Sequence, residues 1–194
     1  MWMPATTSPT EDEALMLQYG KGDVAAFEEL YRRHGISSWR FILRSVKLPA
    51  LADELVQEVW FSVARQAGSY KPTARFKTWL FTLARHRVVD HFRAAKVHVS
   101  IDAANDDEDS PTLTLTADSG FGPLRRLENR QQARALLNAI EALPAPQREA
   151  FLLQAEGGME VEDIARITGT SFETAKSRLR YARKQLRDAL KDIA

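Results

Sequence analysis

An all-α chain, two small helical domains joined by a flexible acidic linker, is predicted by three observations. Apolar residues recur at helical spacing over most of the sequence; period-two runs of β-branched residues are missing; and one central stretch loses all periodicity. Charge marks the same division. Residues 1–96 hold 14 basic and 10 acidic side chains, residues 97–124 hold six acids and no Lys or Arg, and residues 125–194 hold 13 basic and 10 acidic. The net charge of +1 therefore conceals two basic halves on either side of an acidic stretch, and local fields, not the average, decide which partners are attracted.

Residues 1–10, rich in Thr, Ser and Pro, are expected to form a loose tail. From Glu11, the residues Leu15, Val24, Phe27, Leu30 and Tyr31 fall where two short helices would bury them, with GKGD (20–23) as the break. SSWRFILRSVK (37–47) is expected as a third segment. After Pro49, Leu51, Leu55, Val59 and Val63 recur every four residues in ALADELVQEVWFSVARQ. The loop GSYKPTARF (68–76) follows, then KTWLFTLARHRVVDHFRAAK (77–96), in which Leu80, Leu83, Ala84 and Val88 make an inward stripe. The first domain thus spans 11–96.

Residues 97–124 have the Ser, Thr, Gly, Pro and acidic composition of a linker, and the stretch is long for a connection within one compact domain. TLTLT (112–116) could be a strand, though no partner strand is visible. The second domain, 125–194, resumes as helices over 125–143, 145–156 and 161–168, stopped by Pro144, by Gly157 and Gly158, and by Gly169, with a closing helix from Ser171.

Other classes are set aside on composition. Cysteine is absent, so there are no disulfides or thiolate metal sites. The opening MWMPATTSPTEDEA lacks a basic then apolar signal pattern, and no apolar run approaches the roughly 18–20 residues of a membrane span. A soluble, cytoplasmic protein without membrane insertion is expected. His86 and Asp90 stand four apart on one helix, but His91 points about 100° away from Asp90. No second cluster lies in reach, so no metal, cofactor or catalytic residue is expected.

The closing helix has two faces. Ala175, Leu179, Ala182, Leu186 and Leu190 form one stripe toward a core. Ser171 suits the N-cap and Glu173 the positive end of the helix dipole. Thr174, Lys176, Ser177, Arg180 and Tyr181 then project outward from the first turns. A short helix, a glycine turn and such a helix have the layout of a helix-turn-helix, whose second helix enters the major groove by its N-terminal turns. Lys and Arg there can donate to guanine O6 and N7, and Arg183, Lys184 and Arg187 suit phosphates. Glu160 stands where a capping Ser or Thr is usual, so the first helix of the motif is expected to start less cleanly.

The first half holds a second basic region. YKPTARFKTWLFTLARHRVVDHFRAAK (70–96) has seven Lys or Arg and one Asp, interleaved with Tyr70, Phe76, Trp79, Phe81 and Phe92. Cations for phosphates and aromatics for stacking are what a single strand asks of a surface, although Trp79, Leu80 and Leu83 share the inward stripe and belong to the core. The loop 68–76 with Arg85, Arg87, His91 and Arg93 is the part expected on nucleic acid. In DELVQEVWFSVARQ (53–66), Asp53, Glu54, Gln57 and Glu58 form a polar face while Leu55, Val59 and Val63 point inward. Trp60 and Phe61 flank that stripe, and an acidic face beside large aromatics suits protein docking.

GDVAAFEELYRRH, ADELVQEVWFSVAR, FKTWLFTLARHRVVDHFR, the acidic tether, LPAPQREAFLLQAEGG and VEDIARITGTSFETAKSRLRYARKQLRDAL resemble, in order, the bacterial RNA polymerase sigma factors of the extracytoplasmic-function (ECF, group 4) type, over about residues 12–192. The resemblance implies a promoter-specificity subunit. Asp53, Leu55, Gln57, Glu58 and Phe61 would bind the β′ clamp of core polymerase, with the β flap as a further polymerase contact. The loop and helix from Gly68 to Lys96 would melt and read the −10 element, through Tyr70, Lys71, Arg75, Lys77, Arg85, Arg87, His91 and Arg93. Thr174, Lys176, Ser177, Arg180, Tyr181, Arg183 and Lys184 would hold the −35 element. It also implies control by an anti-sigma factor, often membrane-associated. The family often has a hydrophobic or aromatic side chain where this chain has Arg180, so the promoter sequence does not carry over. The rival readings are a stand-alone helix-turn-helix regulator, which has no need of the DELVQEVWF face, and a nuclease.

Overall fold

The computed structural model describes residues 11–99 and 123–191, and among these every regular element is helical. Two compact units result, one built from α1 (Glu11–Gly20), α2 (Val24–Val46), α3 (Pro49–Gln66) and α4 (Phe76–Val99), the other from α5 (Pro123–Ala142), α6 (Ala145–Ala155), α7 (Val161–Thr168) and α8 (Phe172–Leu190). The TLTLT run and most of the acidic stretch lie outside the described residues. Helical backbone takes in Val97 to Val99 at one end of that stretch and Pro123 and Leu124 at the other.

In the first unit, Asp23 starts α2 by accepting hydrogen bonds from the amides of Ala25 (3.1 Å) and Ala26 (3.4 Å). The segments expected separately at 24–31 and 37–47 are one helix. Gly35 does not break it, and the following Ser37 and Ser38 spend their hydroxyls on carbonyls of the helix itself, at His34 (3.1 Å) and Gly35 (2.9 Å). The helix ends at Lys47, a non-glycine residue at φ 63°, whose amide donates to the Leu43 carbonyl (2.7 Å). Pro49 opens α3 at a position where its missing N–H costs nothing.

Met16, Leu30, Phe41, Ile42, Val59, Val63, Phe76, Leu80, Phe81 and Ala84 are fully buried and bring all four helices to one core. Phe41 and Phe81 meet edge to face at 5.4 Å. Val24 and Tyr31, expected inside, are exposed, because they share a face of α2 turned roughly 100° or more from the buried Leu30. Phe76 and Phe81 are core residues and not members of a stacking surface. Trp60 is also buried and donates its indole N–H to the Ser38 hydroxyl (3.2 Å). A 3₁₀ turn, Ala67–Ser69, passes so close to the end of α1 that a Cβ on Gly20 would lie 2.5 Å from the Ala67 carbonyl oxygen. Only glycine fits there.

In the second unit, α5, α6 and α7 all pack on α8. Ile140, Leu143, Leu152, Leu153, Ile164, Ile167, Ala175, Leu179, Ala182 and Leu186 form its core. Glu160 precedes α7 without a side-chain capping bond, as its chemistry predicts. Gly169 closes α7 at φ 65°, and its left-handed backbone makes the turn into α8. Ser171 caps α8 by accepting from the Thr174 amide (3.1 Å).

Candidate nucleic-acid interface

The turn at Gly169 lays α7 and α8 together so that the first turns of α8 face outward. Alanines at 175 and 182 let α8 approach its neighbours closely, and every larger cation lies off that stripe. Thr174, Lys176, Arg180, Tyr181, Arg183 and Lys184 are exposed, and Ser177 is partly so. Two contacts arrange this face. The Lys176 ammonium lies 5.8 Å from the Phe172 ring centre, and the Arg180 guanidinium lies 5.1 Å from that of Tyr181. Arg183 donates to Gln154 of α6 (2.6 Å), so its charge is anchored while Lys176 and Arg180 reach outward. Gln154 drew no attention in the sequence, since a lone glutamine on a short helix has no pattern.

The basic region of the first unit is more mixed. Lys71, Arg75 and Arg93 are exposed, and Lys77, Arg85, Arg87 and His91 are partly exposed. Arg93 lies 3.9 Å from Asp90. Arg87 is engaged across helices, 3.6 Å from Glu58 and donating to the Ser62 hydroxyl (3.0 Å) on α3. It therefore ties the basic helix to the acidic one. Tyr70 is not a free platform: its ring leans on Trp79 (5.1 Å) and Phe76 (6.4 Å), and its hydroxyl is buried without a hydrogen-bond partner. Burial and the neighbouring charges of Glu13 and Asp12 push the phenol pKa up, so it stays protonated.

On α3, Asp53, Glu54, Gln57 and Glu58 are exposed, and Phe61 stands 64% exposed. Leu55 is buried at 6% exposure, so it belongs under this face and not on it; its place on the every-fourth-residue stripe decides that. Trp39 of α2 donates its indole N–H to Asp53 (2.7 Å) and fixes that carboxylate. Beside Phe61 lies an apolar cavity of about 300 Å³, lined by Tyr19, Phe27, Tyr31, Val56, Gln57, Trp60 and Ala64. Phe27 and Trp60 meet edge to face at 5.7 Å, as do Tyr31 and Trp60 at 5.0 Å. Tyr19, Phe27 and Trp39 had no detectable functional signal, because α1 brings the first and α2 the other two to this surface beside α3.

Among the described residues, no group of three or more His, Cys, Asp or Glu side chains could hold a metal ion, and no helix is long and apolar enough to cross a membrane.

Comparison with known proteins covers both units. The sigma-70 region 2 model matches residues 30–97, and the sigma-70 region 4 model matches residues 133–186. RNA polymerase sigma factor CarQ of Myxococcus xanthus is 33% identical, over 92% of this chain and 97% of its own length. ECF RNA polymerase sigma factor SigK of Mycobacterium sp. (strain KMS) is 30% identical, over 97% of this chain and 98% of its own. Among solved structures, sigma factor RpoE of Bartonella quintana, in complex with the anti-sigma factor NepR, matches at TM-score 0.69 and 25% identity, covering 85% of this chain and 96% of that one. A stand-alone regulator would share the helix-turn-helix alone; these relatives match along both basic halves. The chain belongs to the RNA polymerase sigma factors of the ECF type.

Proposed function

We propose that this sigma factor acts as a promoter-specificity subunit through three surfaces, with no catalytic group of its own. Asp53, Gln57, Glu58 and Phe61, set over the buried Leu55, take the β′ clamp of core polymerase. The loop 70–75 and the exposed side of α4, with Lys71, Arg75, Lys77, Arg85, His91 and Arg93, hold the opened −10 strand; Tyr70 roots that loop, and Arg87 links it to α3. Thr174, Lys176, Ser177, Arg180 and Tyr181 face the −35 bases, with Arg183 and Lys184 on phosphates. Region boundaries near 11–96 and 125–194, with residues 97–124 as a tether, follow from the same reading.

The observation that supports this most is α8. Its alanine and leucine stripe is packed, so its hydroxyl and cationic side chains are left together on the helix end that can enter a major groove. Two modest contacts on one DNA, joined through polymerase, raise selectivity by effective concentration. The relative solved with an anti-sigma factor supports inhibition by such a partner, here taken as membrane-associated, acting on this protein in the cytoplasm. In reconstituted transcription with core polymerase, the protein should start transcripts at defined promoters. Loss of core binding in the Lys176→Ala, Arg180→Ala double variant would overturn the surface assignment.

A further inference from the structure

The N-terminal helix contributes a charge to a place where no nearby sequence can. Glu13 of α1 is a carboxylate only 4% exposed, and it accepts a hydrogen bond from the backbone amide of Phe76, which lies 63 residues away. Phe76 is the first residue of α4, so this amide is one of the donors that a helix leaves without an internal partner. A buried carboxylate is costly unless hydrogen-bonded, and here it meets the positive end of the α4 dipole. Glu13 thus does for α4 what Asp23 and Ser171 do for their own helices, but from another helix.

The other end of the loop converges on the same place. Tyr70 follows the 3₁₀ turn, its amide bonded to the Ala67 carbonyl (3.3 Å), and its ring packs on Trp79 and Phe76. Its buried hydroxyl lies in the field of Glu13 and Asp12. Both roots of the loop therefore sit on α1. That helix is itself held: Asp12 pairs with Arg33 (2.9 Å) and with His34 Nε2 (2.8 Å), and Glu11 pairs with Arg33 (2.8 Å). The His34 ring lies 5.6 Å from Phe76 and completes the enclosure. Between the roots, Lys71 and Arg75 stand exposed around a local bond from the Thr73 amide to the Lys71 carbonyl (2.8 Å).

We infer that Glu13 is a positioning residue for −10 strand capture, setting the 70–75 loop by capping α4 and enclosing the Tyr70 root. This rests on the reading of that loop as a strand contact. The test uses holoenzyme assembled on core polymerase with Glu13→Ala, Glu13→Gln and, separately, Lys71→Ala with Arg75→Ala. Binding to a single-stranded −10 oligonucleotide and affinity for core polymerase are both measured. Glu13→Ala should weaken oligonucleotide binding about tenfold, the scale of one lost hydrogen bond to a charged group, with core affinity within about twofold of the parent. Glu13→Gln keeps an acceptor for the Phe76 amide but loses the charge, so it should recover only part of the loss and stay about threefold below the parent; that remaining loss decides the matter if the alanine variant does not fold.

If the Lys71, Arg75 pair weakens oligonucleotide binding and neither Glu13 variant does, the inference is overturned while the loop reading stands. If that pair has no effect, both fall. Equal losses of core affinity and oligonucleotide binding in the Glu13 variants would reduce Glu13 to a general support of the fold and overturn the inference.

Discussion

The two basic regions of this sigma factor are built in opposite ways. On α8 one helix does everything: small apolar residues pack, and polar ones point out within the same few turns. In the first unit, the loop 70–75 presents Lys71 and Arg75 between two roots, a 3₁₀ turn packed close to the end of α1 and an α4 N-terminus bonded to Glu13. The cations of α4 are also shared with acids, Arg87 with Glu58 and Arg93 with Asp90. A duplex groove is a fixed shape that a rigid helix can match. A strand that must be pulled from a stack suits a loop whose position can be set from behind.

This contrast can be broken by substitution. The largest effect is expected for Lys176→Ala with Arg180→Ala, since each base contact is worth about 1–3 kcal/mol, so transcription from promoters that depend on the −35 element should fall by roughly tenfold to a hundredfold or more. Run-off assays check this, and core affinity should not change. Next is Phe61→Ala, which removes an exposed aromatic from the α3 face. Core affinity should drop by about tenfold, with the melting temperature unaltered.

Gly20→Ala should come third. It forces a Cβ against the Ala67 carbonyl and should cost about 1–3 kcal/mol in the first unit, read by denaturant unfolding, while isolated changes in α8 leave that transition alone. The smallest effect is with pH. Burial holds the His34 pKa below its ordinary value of 6.5, outweighing the attraction of Asp12; Lys77 and Arg33 push the same way as burial. Because the unfolded state then binds the proton more readily, this contribution is complete above about pH 6.5 and is lost as the pH falls toward the folded pKa. Hydrogen bonds from Arg32 and Arg33 hold Glu29 down to about 2, and that contribution fades only below its ordinary 4.5. A melting series should show a decline starting near pH 6.5, removed by His34→Asn, and a second below pH 4.5 that remains.

The same contrast explains what was legible in the sequence. The α8 faces follow from period alone, and so do Leu55, Val59 and Val63 as inward residues of α3. The family was legible too, because several motifs stand in order. Three features were not. The segments at 24–31 and 37–47 were expected apart but form one helix, in which the serines bond the helix's own carbonyls. The aromatics of 70–96 were read as a mixed surface, but Phe76 and Phe81 are core, since a helix surrounded by others buries more than one stripe. Glu13 lay in an acidic first turn that reads as ordinary helix-dipole chemistry; only its contact with Phe76 shows a capping role.

The central claim is that two separable DNA grips act together only through polymerase. The direct measurement is transcript mapping with purified protein, core polymerase and a library of genomic fragments, beside binding of the protein alone to the fragments it selects. The account predicts promoter-specific starts that share two short upstream elements at constant spacing, steeply weakened by salt, and weak binding by the protein alone. Tight, selective binding without polymerase, or the absence of specific starts and of a complex with core, would contradict it.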